Sequence, residues 1–486
     1  MTGAQVDALR GVRVTGPGQE FLFDDEPVDL VIRDGVIADI APTGALALAG
    51  RVVDAEGAWV IPGLWDNHVH VVQWALASER TWLGDAASAR EAAELMAAVQ
   101  TRPDDRRIGT GFRDALWPDA PTRETLDAAT GAVPTYLINA DVHSVWLNSA
   151  ALAREGFDAA DGVLREEDAF EISRRLNAVD PVHADQAVQQ AASRAAGRGI
   201  TGVVDFEMAW NAQAWERRVA SGFDLHRVEF AIYPADLDRA IAEGLRTGDA
   251  LGSSDLVSVG RLKVISDGSL GTRTAACSQA YPGDGHGVMT VETPELIDLL
   301  TRAAGAGLEA SVHAIGDRAA ASALDAFAHT GAAGTIEHAQ LVRHADVSRI
   351  ARLGLVASVQ PQHALDDRDM ASRYWAHQTS LAYPLASLRR AGVELRLGSD
   401  APVAPLDPWQ AIAAAVTRSD DVREPLDPGE RLSVDEAIAA SVRTAVRPGE
   451  RADLVLCDVD PRTADAVALR GMPVRMTLLG GLVTHG

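Results

Sequence analysis

Two hydrophobic patterns succeed each other along this 486-residue chain. Near its start, apolar runs at residues 28–32 and 36–40 flank an Asp-Gly pair, which is a strong signal for a β-hairpin. A further apolar run at residues 58–61 leads into a Pro-Gly break and then into a His-x-His motif at residues 68–70. The pattern predicts a small unit of short strands over residues 1–60, followed by a strand that ends at two histidines.

From residue 199 onward, one unit recurs: a helical stretch, a glycine, an apolar strand and a polar residue at the strand's end. Strands in this pattern fall at residues 199–207, 227–233, 260–266, 308–312, 335–337, 356–360 and 395–398. With the strand before His68 they make eight, and strands that alternate with helices indicate parallel βαβ units. The chain is therefore predicted to be an α/β protein with a (β/α)8 TIM barrel, whose catalytic groups lie at the carboxyl ends of the strands. A doubly wound open sheet is the alternative, but no G-x-G-x-x-G loop follows the first strand.

Residues 71–198 show no regular repeat, and we predict that they form a long insertion after the first barrel strand. Within them, residues 87–100 are rich in Ala, Glu, Leu and Met and predict a helix. The stretch 141–149 mixes aromatic and hydrogen-bonding side chains. It is typical of a substrate-contacting segment, and equally of a polar helix start capped by Ser144 or Asn148.

Residues 448–486 return to short strands and turns like those of residues 1–60. Because the two chain ends have matching character and flank the barrel, we predict that they pair into one small β-sandwich. The remaining residues, 61–447, form the barrel and its insertion in this division of the chain.

The net charge and the cysteine content exclude several classes of binding partner. The formal net charge of -25 argues against nucleic-acid binding, which needs a basic surface, and against adhesion to an anionic membrane. Cys277 and Cys457 lie far apart and suggest neither a disulfide framework nor a cysteine-based zinc site. The first 14 residues show no apolar signal-peptide core, and no apolar stretch reaches the length of a membrane span. We expect a cytoplasmic protein with a small-molecule substrate.

Side chains that bind metals recur where the predicted barrel strands end. They are His68, His70, Lys263 (within its strand), His313, His338 and Asp400. Imidazole suits zinc, iron and nickel, and a catalytic metal lowers the pKa of bound water to roughly 7. The hydroxide so formed can attack a carbonyl carbon, while Asp400 carries the water's proton to the leaving nitrogen. Each residue alone is more often structural, but four histidines at strand ends favour a metal site.

The motifs that contain these residues resemble those of one known family. The matching stretches are Asn67-His68-Val69-His70, Asp141-Val142-His143 to Asn148-Ser149-Ala150, residues 263–274, Val312 to Asp317, Ile336 to Gln340, Gln360 to His363 and Gly398 to Val403. The chain is similar to the amidohydrolase superfamily, in the branch of metal-dependent hydrolases that includes N-substituted formamide deformylases (amidohydrolase family 3). The resemblance spans nearly the whole chain and is specific for the branch rather than for a substrate.

The resemblance implies a role for each metal-binding residue. His68, His70 and Asp400 would bind the more buried divalent ion, with zinc expected, and His313 and His338 would bind a second. Lys263 would be carboxylated and bridge the two ions, which needs a neutral amine although the ordinary lysine pKa is about 10.4. The alternative is an unmodified lysine and a single ion. Relatives are often dimers, so a homodimer is expected.

Six residues are candidates for the substrate pocket. They are His143, Trp146, Glu166, Asp267, Arg273 and Gln362. Glu166 lies in an acidic run and is equally explained as a solvated surface charge. Arg273 is equally explained as a structural ion-pair partner; facing the pocket, it would favour a substrate with a carboxylate.

Together these observations predict a metal-dependent hydrolase of a carbon–nitrogen bond in a small molecule, such as an N-formyl, N-acyl or cyclic amide. Ester or lactone hydrolysis by the same site is the nearest alternative. A catalytically silent barrel that acts as a binding protein is the alternative from another class, because a fold does not fix a function.

Overall fold

A computed structural model describes residues 3–16, 26–102, 104–252, 254–283 and 285–486. Its central sheet consists of eight strands, all paired in parallel. In chain order they are Leu64–Val69, Ile200–Asp205, Arg227–Ile232, Val257–Ile265, Ala310–Ala314, Gly334–His338, Val356–Val359 and Glu394–Leu397. The eight predicted strands are thus confirmed, and they stand in the sheet in chain order.

The first and last strands meet and nearly close the sheet into a barrel. The Asp400 N–H donates to the carbonyl of His68 at 2.7 Å, and the His70 N–H donates to the carbonyl of Ala401 at 2.9 Å. These bonds join the carboxyl ends of the two strands, so the polar residues that follow them come together. The prediction of a TIM-type barrel is confirmed, and the open doubly wound sheet is excluded.

Helices surround the barrel because the sheet buries apolar side chains on both faces. The largest hydrophobic cluster joins residues of the barrel strands to those of the flanking helices. The α-helices of the described chain are Val71–Ala77, Ala89–Ala98, Arg123–Thr130, Ser149–Glu155, Glu167–Asn177, Pro181–Ala196, Asn211–Ala220, Leu237–Ala242, Thr293–Gly305, Asp317–Thr330, His344–Arg352, Pro361–Asp366, Arg368–Tyr374, Leu385–Arg390, Pro408–Thr417, Val434–Ala439 and Ala466–Arg470. None of the helices in the described ranges is both long and apolar enough to cross a membrane.

Strands from both chain ends share a second sheet. It contains Ala8–Val14, Val28–Arg33, Val36–Pro42, Val52–Asp54, Trp59–Pro62, Leu454–Cys457, Val474–Leu479 and Leu482–His485. The predicted hairpin is present, and the apolar run at 58–61 pairs with Leu454–Cys457 instead of leading the barrel. The barrel strand begins only after Gly63, because the Pro-Gly break separates the two sheets. Residues 1–2 and 17–25 of the predicted N-terminal unit lie outside the described residues, and the β-sandwich and the domain boundaries stay predictions.

The segment that separates the first two barrel strands in sequence forms a five-stranded sheet of its own. Its members are Thr81–Trp82, Arg107–Phe112, Thr135–Asn139, Ser144–Leu147 and Val163–Arg165. The helix predicted at residues 87–100 is Ala89–Ala98. The stretch 141–149 forms a short strand and then a helix start, where Asn148 caps Ser149–Glu155 by accepting a hydrogen bond from the Ala151 N–H. Of the two interpretations of this stretch, capping by Asn148 is therefore confirmed, while Ser144 lies within the strand.

Candidate active site

The predicted metal-binding residues converge at the carboxyl ends of the barrel strands. His68 and Lys263 lie within their strands, His338 ends one, and Asp400 follows the last strand. Asp400 Oδ1 is 3.4 Å from His70 Nε2 and 3.5 Å from His68 Nε2, and Lys263 Nζ is 3.3 Å from His68 Nε2. The ring centroids of His338 and His313 are 4.6 Å apart. Five strands distant in sequence thus place imidazole, carboxylate and amine groups in one buried cluster.

Three of these imidazoles are held from behind by hydrogen-bond acceptors. His68 Nδ1 is 2.7 Å from Glu337 Oε2, and His313 Nδ1 is 3.0 Å from Asp267 Oδ1. His338 Nδ1 is 2.8 Å from the amide oxygen of Gln360. Because each Nδ1–H donates to an oxygen, each Nε2 keeps its lone pair and faces the cluster. An acceptor behind the ring is the usual support for a metal-binding histidine.

The donor set fits a divalent cation. Within the part of the chain that the structure describes, Asp400 Oδ1, His70 Nδ1 and His363 Nε2 are buried and have no hydrogen-bond partner. His68, His70 and Asp400 offer one ligand atom each within 4.8 Å of one another, and so do His338, His363 and Asp400. Buried polar atoms normally have hydrogen-bond partners. A carboxylate oxygen without one, surrounded by imidazoles, therefore indicates a cation site.

Backbone strain is concentrated at the same point. Asp400, His338 and Ala339 have φ angles of 60°, 71° and 44°, in the left-handed region that residues other than glycine rarely adopt. Such conformations cost on the order of 1–3 kcal/mol each and persist where surrounding contacts hold them. At Asp400 the bond from its N–H to the His68 carbonyl provides that restraint. These backbone conformations direct the side chains of His338 and Asp400 into the cluster.

Burial and neighbouring charges shift the pKa values of two basic groups of the site in opposite directions. Burial lowers the pKa of Lys263 to about 8, which increases its neutral fraction near neutral pH. Burial by itself would also lower the pKa of His143, but the Glu166 carboxylate, 2.8 Å from Nδ1, raises that pKa to about 9. His143 is therefore a charged donor at neutral pH, and its Nε2 is the ring nitrogen left for other contacts.

A cavity opens over the cluster, and the predicted pocket residues relate to it in different ways. His143 lines the cavity. Glu166 lies behind His143 and also accepts a hydrogen bond from Thr274, so it is not a solvated surface charge. Asp267 lies behind His313, where its carboxylate accepts bonds from three backbone N–H groups, those of Ala276, Ile315 and Gly316. Glu166 and Asp267 thus orient histidines instead of facing a substrate.

Three predicted pocket residues do not line the cavity. Trp146 is fully buried in the core of the insertion, where its indole N–H donates to the Thr122 carbonyl. Arg273 is exposed, and its guanidinium lies 5.8 Å from the ring of Tyr374. Gln362 donates to Asp366 at 3.0 Å. For Gln362 the turn of the helix points the next residue, His363, into the cavity instead.

Sequence reasoning missed two residues of the cluster. Glu337 precedes His338 and points into the barrel to meet His68. His363 lies in the short helix Pro361–Asp366 after the seventh strand, and its Nε2 is 4.0 Å from Asp400 Oδ2. The available signal was position, because both residues occur at the carboxyl end of a barrel strand, as the recognised ligands do.

Comparison with known proteins matches most of the chain to one family. The profile of a family described as the amidohydrolase family matches residues 51–485. The chain is 28% identical to protein LONG AFTER FAR-RED 3 of Arabidopsis thaliana, over 80% of this chain and 74% of that protein. It is 26% identical to N-substituted formamide deformylase of Arthrobacter pascens, over 77% of this chain and 76% of that protein.

A solved structure shares the fold. It is described as an uncharacterized metal-dependent hydrolase from Pyrococcus horikoshii OT3, with a TM-score of 0.78 and 24% sequence identity. The superposition covers 95% of this chain and 99% of that chain. The fold is thus shared over nearly the whole chain.

Proposed function

We propose that this chain, which belongs to the amidohydrolase family, hydrolyses a carbon–nitrogen bond of amide type in a small molecule. That it is a metal-dependent hydrolase follows from the family, while the bond and the roles of single residues are our proposal. The observation that supports the proposal most is the set of three imidazoles that each bond an oxygen through Nδ1 and so keep Nε2 available for a metal.

The metal would be held by the residues already described. His68, His70 and Asp400 form one group, and His338 belongs to a second, with His313 beside it. We keep zinc as the expected metal because imidazole nitrogen dominates the donor set. When bound, a divalent ion supplies Lewis acidity toward a carbonyl oxygen and toward water. Lys263 lies near enough to His68 to bridge two ions once carboxylated, or to remain a cation beside one.

Asp400 is our candidate for proton transfer. Its Oδ1 is buried, lies beside two imidazoles and has no hydrogen-bond partner among the described residues. An acceptor so placed can take a proton from water and deliver it to the departing nitrogen. His143 donates from its other ring nitrogen to the substrate's carbonyl oxygen, because Glu166 fixes Nδ1. His143 thus orients the carbonyl, and Asp400 moves the proton.

Metal analysis and a substrate screen test the proposal together. Gently purified protein should contain zinc, iron, nickel or manganese, or bind one on addition, as measured by mass spectrometry. The loaded protein should hydrolyse N-formyl, N-acyl or cyclic amides faster than esters and lactones of the same skeleton. Esters cleaved in preference would replace the amide proposal. A protein that binds no metal under any condition would exclude catalysis by this site and favour a binding role.

A further inference from the structure

The charge of the cavity wall points to a particular class of substrate. Among the residues that line the cavity, five are aspartates: Asp114, Asp141, Asp366, Asp367 and Asp400. Asp400 belongs to the metal cluster. Asp366 is paired with Arg113 at 3.1 Å, so the charge of that guanidinium is already balanced. Asp367 accepts a hydrogen bond from the Tyr383 hydroxyl, and burial raises its pKa to about 6. Asp400 and Asp366 thus have partners within the protein, and Asp367 has His363 and Arg113 as electrostatic neighbours.

Asp114 and Asp141 accept hydrogen bonds from neutral donors. Asp114 Oδ1 accepts one from the Asn139 side chain at 2.9 Å, while Asp141 accepts one from the Ser269 hydroxyl at 2.6 Å and one from the His143 backbone N–H at 3.0 Å. Neither carboxylate forms an ion pair with any basic residue in the described ranges. Burial, followed by repulsion from Asp141, raises the pKa of Asp114. Two neighbouring carboxylates thus face the cavity without a cation of the protein's own.

Nearby cations are committed elsewhere. The imidazole of His143 bonds Glu166 at 2.8 Å and reaches Asp141 only as a weaker electrostatic neighbour. Arg165 is paired with Asp161 at 2.9 Å. Arg273, which would have attracted a carboxylate, does not line the cavity. The acidic excess in this part of the cavity is therefore not cancelled from within.

A second observation comes from Gln340, which also lines the cavity. Gln340 is 4% exposed, and its amide donates to His363 Nδ1 at 3.2 Å. Its Oε1 is buried and accepts no hydrogen bond from the described residues. Buried acceptors normally find donors, so one left unpaired at a cavity wall indicates an N–H or O–H group of a ligand. Like the two carboxylates, this oxygen can accept a hydrogen bond from a ligand.

We propose that Asp114 and Asp141, with Gln340 as a further acceptor, make this cavity selective for amides that also carry an ammonium or guanidinium group. The inference rests on the proposed function, because it names the substrate class of the same site. A cationic group brings N–H donors for the acceptors and a charge that removes the repulsion between the two carboxylates. A substrate with a carboxylate in the same place would meet that repulsion and is disfavoured.

Three formamides of matched length test the preference with metal-loaded enzyme. They are the monoformamide of diaminobutane, which is cationic, N-pentylformamide, which is neutral, and formamidopentanoate, which is anionic. We expect kcat/KM for the cationic amide to exceed that for the neutral one by about tenfold or more, with the anionic amide slowest. Asp114→Asn keeps an oxygen for the Asn139 bond and should lower the cationic-to-neutral ratio by about fivefold or more. The exposed Asp168→Asn is the matched control and should leave the ratio unchanged.

A binding measurement separates this inference from the proposed function. N-butylguanidinium, which remains protonated and does not coordinate metal at neutral pH, is compared by calorimetry with neutral N-butylurea. Tighter binding of the guanidinium, weakened by Asp114→Asn but not by Asp168→Asn, supports the inference even if no amide is cleaved. Amide cleavage without charge preference, together with equal binding of the two probes, would overturn the inference and leave the proposed function standing. An unchanged preference in Asp114→Asn would overturn it as well.

Discussion

At the scale of single residues, Asp400 combines a strained backbone with an unpartnered carboxylate oxygen. We expect Asp400→Asn to lower kcat by about a thousandfold, because the amide cannot accept and return a proton. Most of the metal should remain, since the histidines are unchanged, and mass spectrometry measures it. Asp249→Asn, at an exposed turn, is the control. Activity near that of the unaltered enzyme would remove the proton-transfer role.

Lys263 is the residue whose chemistry differs most between the alternatives. If a carboxylated Lys263 bridges two ions, Lys263→Ala should contain less metal, because a ligand to both ions is lost. Formate, acetate or propionate should partly restore metal content and activity by supplying the missing carboxylate. Metal occupancy that is complete in the variant would argue for an unmodified lysine beside a single ion.

Glu337 tests whether the support behind His68 matters. Glu337→Leu leaves the Nδ1–H of His68 without its acceptor, so the ring loses its fixed orientation. We expect metal affinity to fall by about 10–100-fold, measured by competition with a chelator. Glu337→Gln can still accept from Nδ1 and should fall less. Equal affinity of the two variants would show that the hydrogen bond does not hold the ring.

At the scale of secondary-structure elements, the start of the helix Ser149–Glu155 depends on one buried amide. Asn148 accepts from the N–H groups of Thr135 and Ala151, and its amide donates to Thr130 and two carbonyls. Asn148→Ala should lower the free energy of unfolding by about 3 kcal/mol, since a cap is lost and buried groups lose partners. Ser433→Ala, at an exposed cap, should cost about 1 kcal/mol in the same denaturant titration. If the two variants lost similar amounts of the free energy of unfolding, the buried hydrogen bonds of Asn148 would contribute no more than an exposed cap.

The elements of the barrel were predictable because their signal is local. Each strand is a short apolar run after a helix and a glycine, and the residue that follows it is polar, so His313 and His338 were placed correctly at strand ends. The direction of a side chain was harder to predict. Trp146 and Gln362 lie one or a few residues from side chains that reach the cavity, and only the register of a strand or helix decides between neighbours.

The second group of errors concerns contacts between distant segments. Glu337 meets His68 across 269 positions of sequence, and no local pattern distinguishes it from an ordinary buried acid. The same holds for Asp267 behind His313. The apolar run at 58–61 was assigned to the approach of the first barrel strand, although its pairing partner is Leu454–Cys457. Residue types alone do not predict which distant segments pair.

At the scale of the whole molecule, a buried ion pair joins the barrel to the sheet from the chain ends. Arg227, in the third barrel strand, bonds Asp453 at 2.6 and 3.0 Å. Arg227→Leu should lower the free energy of unfolding by about 3–5 kcal/mol, because Asp453 keeps a buried charge without its partner. The double variant with Asp453→Leu should recover part of that loss in denaturant titrations. A double variant that is less stable than Arg227→Leu would contradict this account.

The pairing of Trp59–Pro62 with Leu454–Cys457 has a consequence for biosynthesis. In that pairing Val60 lies opposite Leu456. One edge of this early strand pairs with Ala8–Val14, but the other edge has no partner until nearly the whole chain has left the ribosome. At synthesis rates of about 5–20 residues per second, the wait is roughly 20–80 s. During that time the barrel units can form from neighbouring segments, while the early strand keeps an open edge, which is prone to pair with other chains. A nascent chain of this protein therefore has its greatest need of chaperones late in translation, when the barrel is already largely made.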